Sequence, residues 1–135
     1  MKVLIAEDDF TCRKLMQGIL SKYGECDIAI NGEEAVEAFK VAWTEGNPYD
    51  LICMDIMMPN MDGHEALAKI RGIEAEMGIV NSTEVKVIMT TALGDPKNVM
   101  KALYKEGATS YLIKPIGKQS LLGELSKFGL IEING

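Results

Sequence analysis

Short, continuous apolar runs alternate with longer amphipathic ones along this chain. The runs KVLIA (2–6), CDIAI (26–30), LICM (51–54), VKVIM (85–89) and SYLI (110–113) are rich in Val and Ile and too short for helices. That is the pattern of parallel strands covered on both faces. The segments between them repeat apolar residues with helical spacing. In FTCRKLMQGILSKYG the spacing puts Cys12, Leu15, Met16, Ile19 and Leu20 on one face and ends the helix at Gly24. In GEEAVEAFKVAWTEG it gathers Ala35, Val36, Phe39, Ala42 and Trp43. MDGHEALAKIRGIEAEMG, DPKNVMKALYKEG and GKQSLLGELSKFG complete the set, each closing near a glycine. Asp95 followed by Pro96 makes a capped start for the fourth helix. Five strands alternating with five helices predict a doubly wound α/β domain on a parallel sheet. With no internal repeat and no long linker, residues 1–135 are expected to form a single domain without an output module.

Sheets of this kind carry their ligand sites at the carboxyl ends of the strands, and the residues there are unusual. Glu7, Asp8 and Asp9 follow the first run, Asp55 ends the third, Thr90, Thr91 and Ala92 follow the fourth, and Lys114 and Pro115 follow the fifth. Several carboxylates gathered at one edge repel each other unless a cation joins them. Carboxylate oxygens suit Mg²⁺. Zinc is disfavoured, because His64 is the only histidine and the cysteines lie elsewhere. Mg²⁺ and the Lys114 ammonium could clamp a phosphoryl group, Thr91 could donate to one of its oxygens, and Asp55 would be its acceptor. Singly, each element has a plainer reading: adjacent acids such as Asp8-Asp9 as a solvated turn or helix cap, Asp62-Gly63 as a turn, Thr91 as a strand-end hydrogen bonder.

Composition narrows the function classes. Apolar residues make up 47% and charged residues 25%, ordinary for a globular chain, and the apolar runs are too short to span a bilayer. Three cysteines without metal-like spacing and no leader-like segment fit a cytoplasmic protein with no membrane partner. The net charge of −6 argues against nucleic acid as a partner. Residues 96–135 nevertheless hold six basic and three acidic side chains, so the basic excess is C-terminal.

Taken together, EDD after the first strand, MDIMMPNMDG around Asp55, TTA after the fourth strand and YLIKP after the fifth resemble the receiver domains of two-component response regulators. The resemblance covers about residues 2–128. It implies a flavodoxin-like sheet in strand order 2-1-3-4-5 and phosphorylation of Asp55 by a sensor histidine kinase or a histidine phosphotransfer protein. It implies that Asp9, Asp55 and the Met57 backbone carbonyl ligate Mg²⁺ directly, with Asp8 acting mainly through water. Glu7 is left without a role. Lys114, Thr91 and Ala92 would bind the phosphoryl group, and the Lys114–Pro115 bond would be cis. Thr91 and Tyr111 would form the switch pair, and Thr90, by strand alternation, would point elsewhere. Met57 and Leu93 are apolar where the family can place or exclude the attacking water, which implies a long-lived phosphoaspartate. The stretches 41–50 and 74–85 are longer than the family's usual connections.

The resemblance implies a signalling protein, of the chemotaxis-regulator type or another, rather than an enzyme. Its downstream target would bind the face made by the fourth helix, fifth strand and fifth helix, about residues 95–128. Lys97, Lys101 and Lys105 line one stripe of that face with Tyr111 and Lys118 on it, and Lys127 is a further candidate. A phosphorelay carrier that passes the group to a histidine phosphotransfer protein is the alternative. An aspartyl-phosphate phosphotransferase is remote, because Met57 occupies the place of its second acid. A flavin-binding reading lacks a phosphate loop after the first strand. His64 reads as a surface or edge packing residue, and Met16, Met54, Met89 and Cys53 read as core.

Overall fold

The computed structural model describes residues 1–79, 83–92 and 96–132. Its elements are β1 (Lys2–Ala6), α1 (Phe10–Leu20), β2 (Glu25–Ala29), α2 (Gly32–Thr44), β3 (Leu51–Asp55), α3 (Gly63–Glu76), β4 (Lys86–Thr91), α4 (Pro96–Tyr104), β5 (Ser110–Ile113) and α5 (Lys118–Lys127). The five strands form one parallel sheet in the order β2-β1-β3-β4-β5, as the resemblance implied.

Strand alternation sorts the core into two layers. Val3, Ile5, Leu51, Cys53 and Ile88 face α1 and α5, packing with Met16, Leu20, Leu121 and Leu125. Leu4, Ala6, Ile52, Met54, Val87 and Met89 face α2, α3 and α4, packing with Phe39, Leu67, Ile70 and Ala102. The central strand β3 is buried along its whole length, so its residues are apolar on both faces until Asp55. β2 and β5 are edge strands and only partly covered, which the continuous apolar runs did not foretell.

Three helices start on side-chain caps. Asp9 Oδ2 accepts from Cys12 N at 2.8 Å, Asn31 Oδ1 from Glu34 N at 2.8 Å, and Asp62 Oδ1 from Glu65 N at 2.9 Å. The Glu34 side chain in turn accepts at 2.9 Å from N of Ile30, the residue before the Asn31 cap. The expected cap of α4 at Asp95 lies outside the described residues, while Pro96 does open that helix.

Several boundaries shift from the expected ones. α1 closes at Leu20 rather than Gly24, and Leu15, placed on its core face by the spacing, is exposed because the sheet covers a narrower stripe. β2 ends at Ala29, leaving Ile30 outside and exposed. β4 runs on through Thr90 and Thr91, because both continue its pairing with β3 and β5. The long 74–85 connection is anchored by buried Glu74, which accepts from Val85 N at 2.7 Å and pairs with Arg71 at 2.5 Å.

Gly63 is more than half of a turn. Its N–H donates to Ile56 O at 2.8 Å, and a Cβ at this position would stand 2.3 Å from Asp55 O. The start of α3 can lie against the end of β3 only because residue 63 has no side chain. Gly63→Ala is therefore expected to destabilise the protein by about 1–3 kcal/mol, the usual cost of forcing an extra carbon into packed surroundings. A urea midpoint equal to that of the wild type would contradict this.

Candidate functional site

The end of β3 delivers Asp55 to the carboxyl edge of the sheet, where it is only 5% exposed. Alternation gives it the same face as Leu51 and Cys53, towards α1 and α5. Glu7, directly after β1, continues the Val3–Ile5 side of its strand and is 0% exposed, its N–H donating to Ala29 O at 3.0 Å. Lys114, directly after β5, continues from Leu112 on that face. Three strands thus send side chains of alternate parity to one point. Lys114 Nζ lies 2.5 Å from Glu7 Oε1 and 3.2 Å from Asp55 Oδ2.

Glu7, Asp8 and Asp55 form the acidic group, each offering an oxygen within 4.8 Å of the others. Asp9, named from the resemblance as a direct ligand, is not in this group. Its carboxylate caps α1, and the acid that joins the cluster is Glu7, to which the resemblance assigned no role. The cap rule was the available signal, since Asp9 immediately precedes the first helical residue, Phe10.

The electrostatics express an excess of negative charge. Burial pushes the Asp55 carboxyl up to about 7, Glu7 adds to the rise, and Lys114 opposes it. Burial also works to raise Glu7, but its hydrogen bonds with Asp55 and Lys114 outweigh that and hold it below the ordinary carboxylate range. Lys114 is shifted the opposite way from what burial favours, upward, because Glu7 and Asp55 surround it with negative charge. Cys12, beside Glu7, is pushed up to about 12 by burial and then by the Glu7 hydrogen bond, so it is a thiol and no nucleophile. An all-oxygen set of three carboxylates, with one of them reluctant to ionise, fits a hard divalent cation such as Mg²⁺.

The other half of the expected site sits on the opposite parity. Thr91 continues the Val87–Met89 side of β4 and lines a cavity of about 320 Å³ with Ala92, Pro96, Val99, Met100, Tyr111 and Ile113. Its hydroxyl makes a long, 3.4 Å contact with Ala92 O. Tyr111 lies at the cavity's rim, 39% exposed. Thr90 does point away from Thr91, but it points to the Asp55 face, opposite Asp55 in the sheet register. Its buried hydroxyl has no hydrogen-bond partner among the described residues. Met57 N donates to Asp55 Oδ1 at 3.3 Å while the Met57 side chain is exposed. Leu93 lies outside the described residues. The Lys114–Pro115 bond is cis. Lys97, Lys101, Lys105, Lys118 and Lys127 are all exposed, far from the carboxylates in chain position but on and beside α4 and α5. No described helix is long and apolar enough to cross a membrane. Of the two readings of His64, surface or edge packing, the structure shows packing: it is buried at the junction of α3 with α4.

Comparison with known proteins agrees with this geometry. The profile of the response regulator receiver domain matches residues 3–126. The chemotaxis protein CheY of Halobacterium salinarum is 37% identical over 126 residues, 93% of this chain and 93% of that protein. The two-component response regulator ARR10 of Arabidopsis thaliana is 34% identical over 122 residues, 90% of this chain, and there the chain spans only 20% of the relative's length. Among solved structures, the receiver domain of Saccharomyces cerevisiae Ssk1, co-crystallised with the histidine phosphotransfer protein Ypd1, superposes with a TM-score of 0.81. The two chains are 30% identical, with 96% of this chain and 88% of that one covered.

The charge excess has a measurable sign. With the Asp55 carboxyl raised to about 7, the native state holds a proton that the unfolded chain has already lost at intermediate pH. In metal-free protein, Asp55's contribution to stability is greatest in acid and is lost as the pH rises through about 7. Asp55→Asn removes this loss, so the variant's stability advantage over wild type should grow between about pH 5 and about pH 8 by on the order of 2 kcal/mol. Chemical denaturation of both proteins in chelator checks it, and an advantage that stays flat or shrinks would contradict it.

Proposed function

The chain belongs to the response regulator receiver domain family, and from that premise we propose that it is a phosphorylation switch whose acceptor is Asp55. The observation that carries the proposal is the placement of a buried carboxylate between an acidic pair, Glu7 and Asp8, and the Lys114 ammonium.

In the proposed reaction an Asp55 carboxylate oxygen attacks the phosphorus of a phosphohistidine on a sensor kinase or phosphotransfer protein. The new P–O bond forms as the P–N bond breaks, and the electron pair stays on the donor's imidazole nitrogen. Glu7, Asp8 and Asp55 would hold Mg²⁺, which when bound neutralises carboxylate charge and that of the incoming phosphoryl oxygens. Asp55 must be ionised to attack, and a cation at these carboxylates favours that form. Lys114, already 3.2 Å from Asp55 Oδ2, is placed to meet a phosphoryl oxygen. Thr91, weakly held by its contact with Ala92, is placed to turn towards the same group. The cavity beside it could then accept the Tyr111 ring. No general acid stands two residues after Asp55, where Met57 is, so the chain is read as a phosphoacceptor and not a turnover enzyme.

The message would be read on the face of α4, β5 and α5. Lys97, Lys101 and Lys105 border exposed Met100 and Tyr104 there, an apolar strip with a basic margin suited to an acidic amphipathic segment of a target. The likeness to a receiver co-crystallised with a phosphotransfer protein supports a relay role as the second reading. Transfer of label from phosphorylated Asp55 to a phosphotransfer histidine would separate the two.

Intact mass after incubation with a small phosphodonor and Mg²⁺ is the direct test. Wild type should gain one phosphoryl group and Asp55→Ala none. A gain in both would mean that Asp55 is not the acceptor. Once formed, the acyl phosphate should decay faster when Met57 is replaced by Asn, which can hold a water. Charge reversal at Lys97 and Lys101 should leave phosphorylation intact while weakening target binding about tenfold and flattening its salt dependence. Unchanged binding would remove this surface from the proposal.

A further inference from the structure

We propose that His64 is a proton-operated strap that holds α4 in its resting position. The inference rests on the packing of α3 against α4 and stands whether or not Asp55 accepts a phosphoryl group. His64 is the second residue of α3 and only 6% exposed. Its Nδ1 meets Glu106 Oε1, and its Nε2 lies 2.8 Å from Asn98 Oδ1. Asn98 sits in the first turn of α4 and Glu106 just beyond the helix's last residue, Tyr104. One ring on α3 therefore grips α4 at both ends.

Among the described residues, that helix buries little. α4 is nine residues long and buries Val99 and Ala102, whereas α2 buries five of its residues. Its outer side carries exposed Met100 and Tyr104. In so lightly anchored an element, two side-chain hydrogen bonds form a large share of the attachment.

The chemistry of the strap depends on its protons. Both atoms facing the ring nitrogens are oxygens that accept hydrogen bonds, so two N–H donors are needed, which only the imidazolium form has. The Glu106 side chain is 10% exposed, and a carboxylate so enclosed requires a cationic partner. Loss of one ring proton leaves one contact without a donor and the carboxylate without its counter-charge. The strap is intact on the acid side of the ring's titration and loosens as the pH rises through it.

The other ionisable groups on these elements are occupied elsewhere or face solvent. Asp62 caps α3 at Glu65 N, and Arg71 pairs with Glu74 and Glu84. Glu65, Lys69, Lys97, Lys101 and Lys105 are exposed. Among the described residues Glu106 is the charged group that touches the ring. Because α4 forms one wall of the cavity shared by Thr91 and Tyr111, a loosened strap would make that space easier to reshape.

The chain has a single histidine, so its imidazole signals in an NMR titration need no assignment by mutation. Unphosphorylated protein is the sample. Amide resonances of residues 97–106 should move with the same midpoint as the ring. Their hydrogen exchange, corrected for the intrinsic pH dependence, should quicken about tenfold across that midpoint. Glu106→Gln, a near-isosteric change that spares the packing, should leave α4 exchanging fast even in acid. α4 amides indifferent to the ring's titration would overturn the proposal. So would α4 exchange that Glu106→Gln leaves unchanged while the fold is intact.

Discussion

The organising constraint of this molecule is that Glu7, Asp8 and Asp55 meet at one edge of the sheet, where, among the described residues, Lys114 is the cation paired with their carboxylates. The two buried carboxylates, Glu7 and Asp55, share one ammonium, so both cannot be ionised without a cost, to which solvent-facing Asp8 adds. Lys114 resolves part of the conflict by pairing with Glu7 and Asp55 together. Asp55 carries the remainder, as a carboxyl raised to about 7. A group left in that state responds strongly to any added cation and, on the proposed reading, to a phosphoryl group. Reactivity and instability here have the same source.

The period of two in β-structure turns that constraint into a geometry. Glu7, Asp55 and Lys114 extend the sides of β1, β3 and β5 that face α1 and α5. Thr91, Tyr111 and Ile113 border the cavity on the α4 side. The carboxylate cluster and the Thr91–Tyr111 cavity therefore lie on opposite faces of one sheet and meet at its edge. The pairing of β4 with both β3 and β5 joins the two halves rigidly. Gly63 completes the arrangement by letting the start of α3 lie against the Asp55 backbone, which fixes the acceptor from behind.

The architecture was legible because it depends on patterns that local sequence contains. Continuous apolar runs marked the strands, and Asp55, Thr91 and Lys114 stood out as polar residues terminating them. What was not legible was the direction of three successive acids at a strand-to-helix junction. Glu7 still obeys strand alternation and goes inside, Asp8 turns to solvent beside the cluster, and Asp9 already belongs to the helix as its cap. The resemblance implied a metal-ligating role for Asp9, and the structure places its carboxylate at the cap of α1, outside the cluster of Glu7, Asp8 and Asp55. The partners of His64 were hidden for a different reason. Its partners, Asn98 and Glu106, are more than thirty residues away and come together only through the packing of α4 on α3.

Energetics explain why α4 is built so lightly. Reversing a two-state equilibrium from about 1:99 to about 99:1 takes about 5.5 kcal/mol. On the proposed reading, a phosphoryl group on Asp55 brings new hydrogen bonds to Lys114 and Thr91, each worth about 1.5–3 kcal/mol when one partner is charged. Their sum only just reaches the requirement. An element that buried five residues, as α2 does, would resist with about 1.5–3 kcal/mol for every large apolar side chain it had to expose. Such a helix could not be moved by two hydrogen bonds. With Val99 and Ala102 as its buried residues, α4 falls within range. Its resting position must then be specified by polar contacts that can be broken and remade, and the His64 contacts to Asn98 and Glu106 are of that kind. On the proposed reading, the shallow burial of α4 is thus what lets a single charged group switch it.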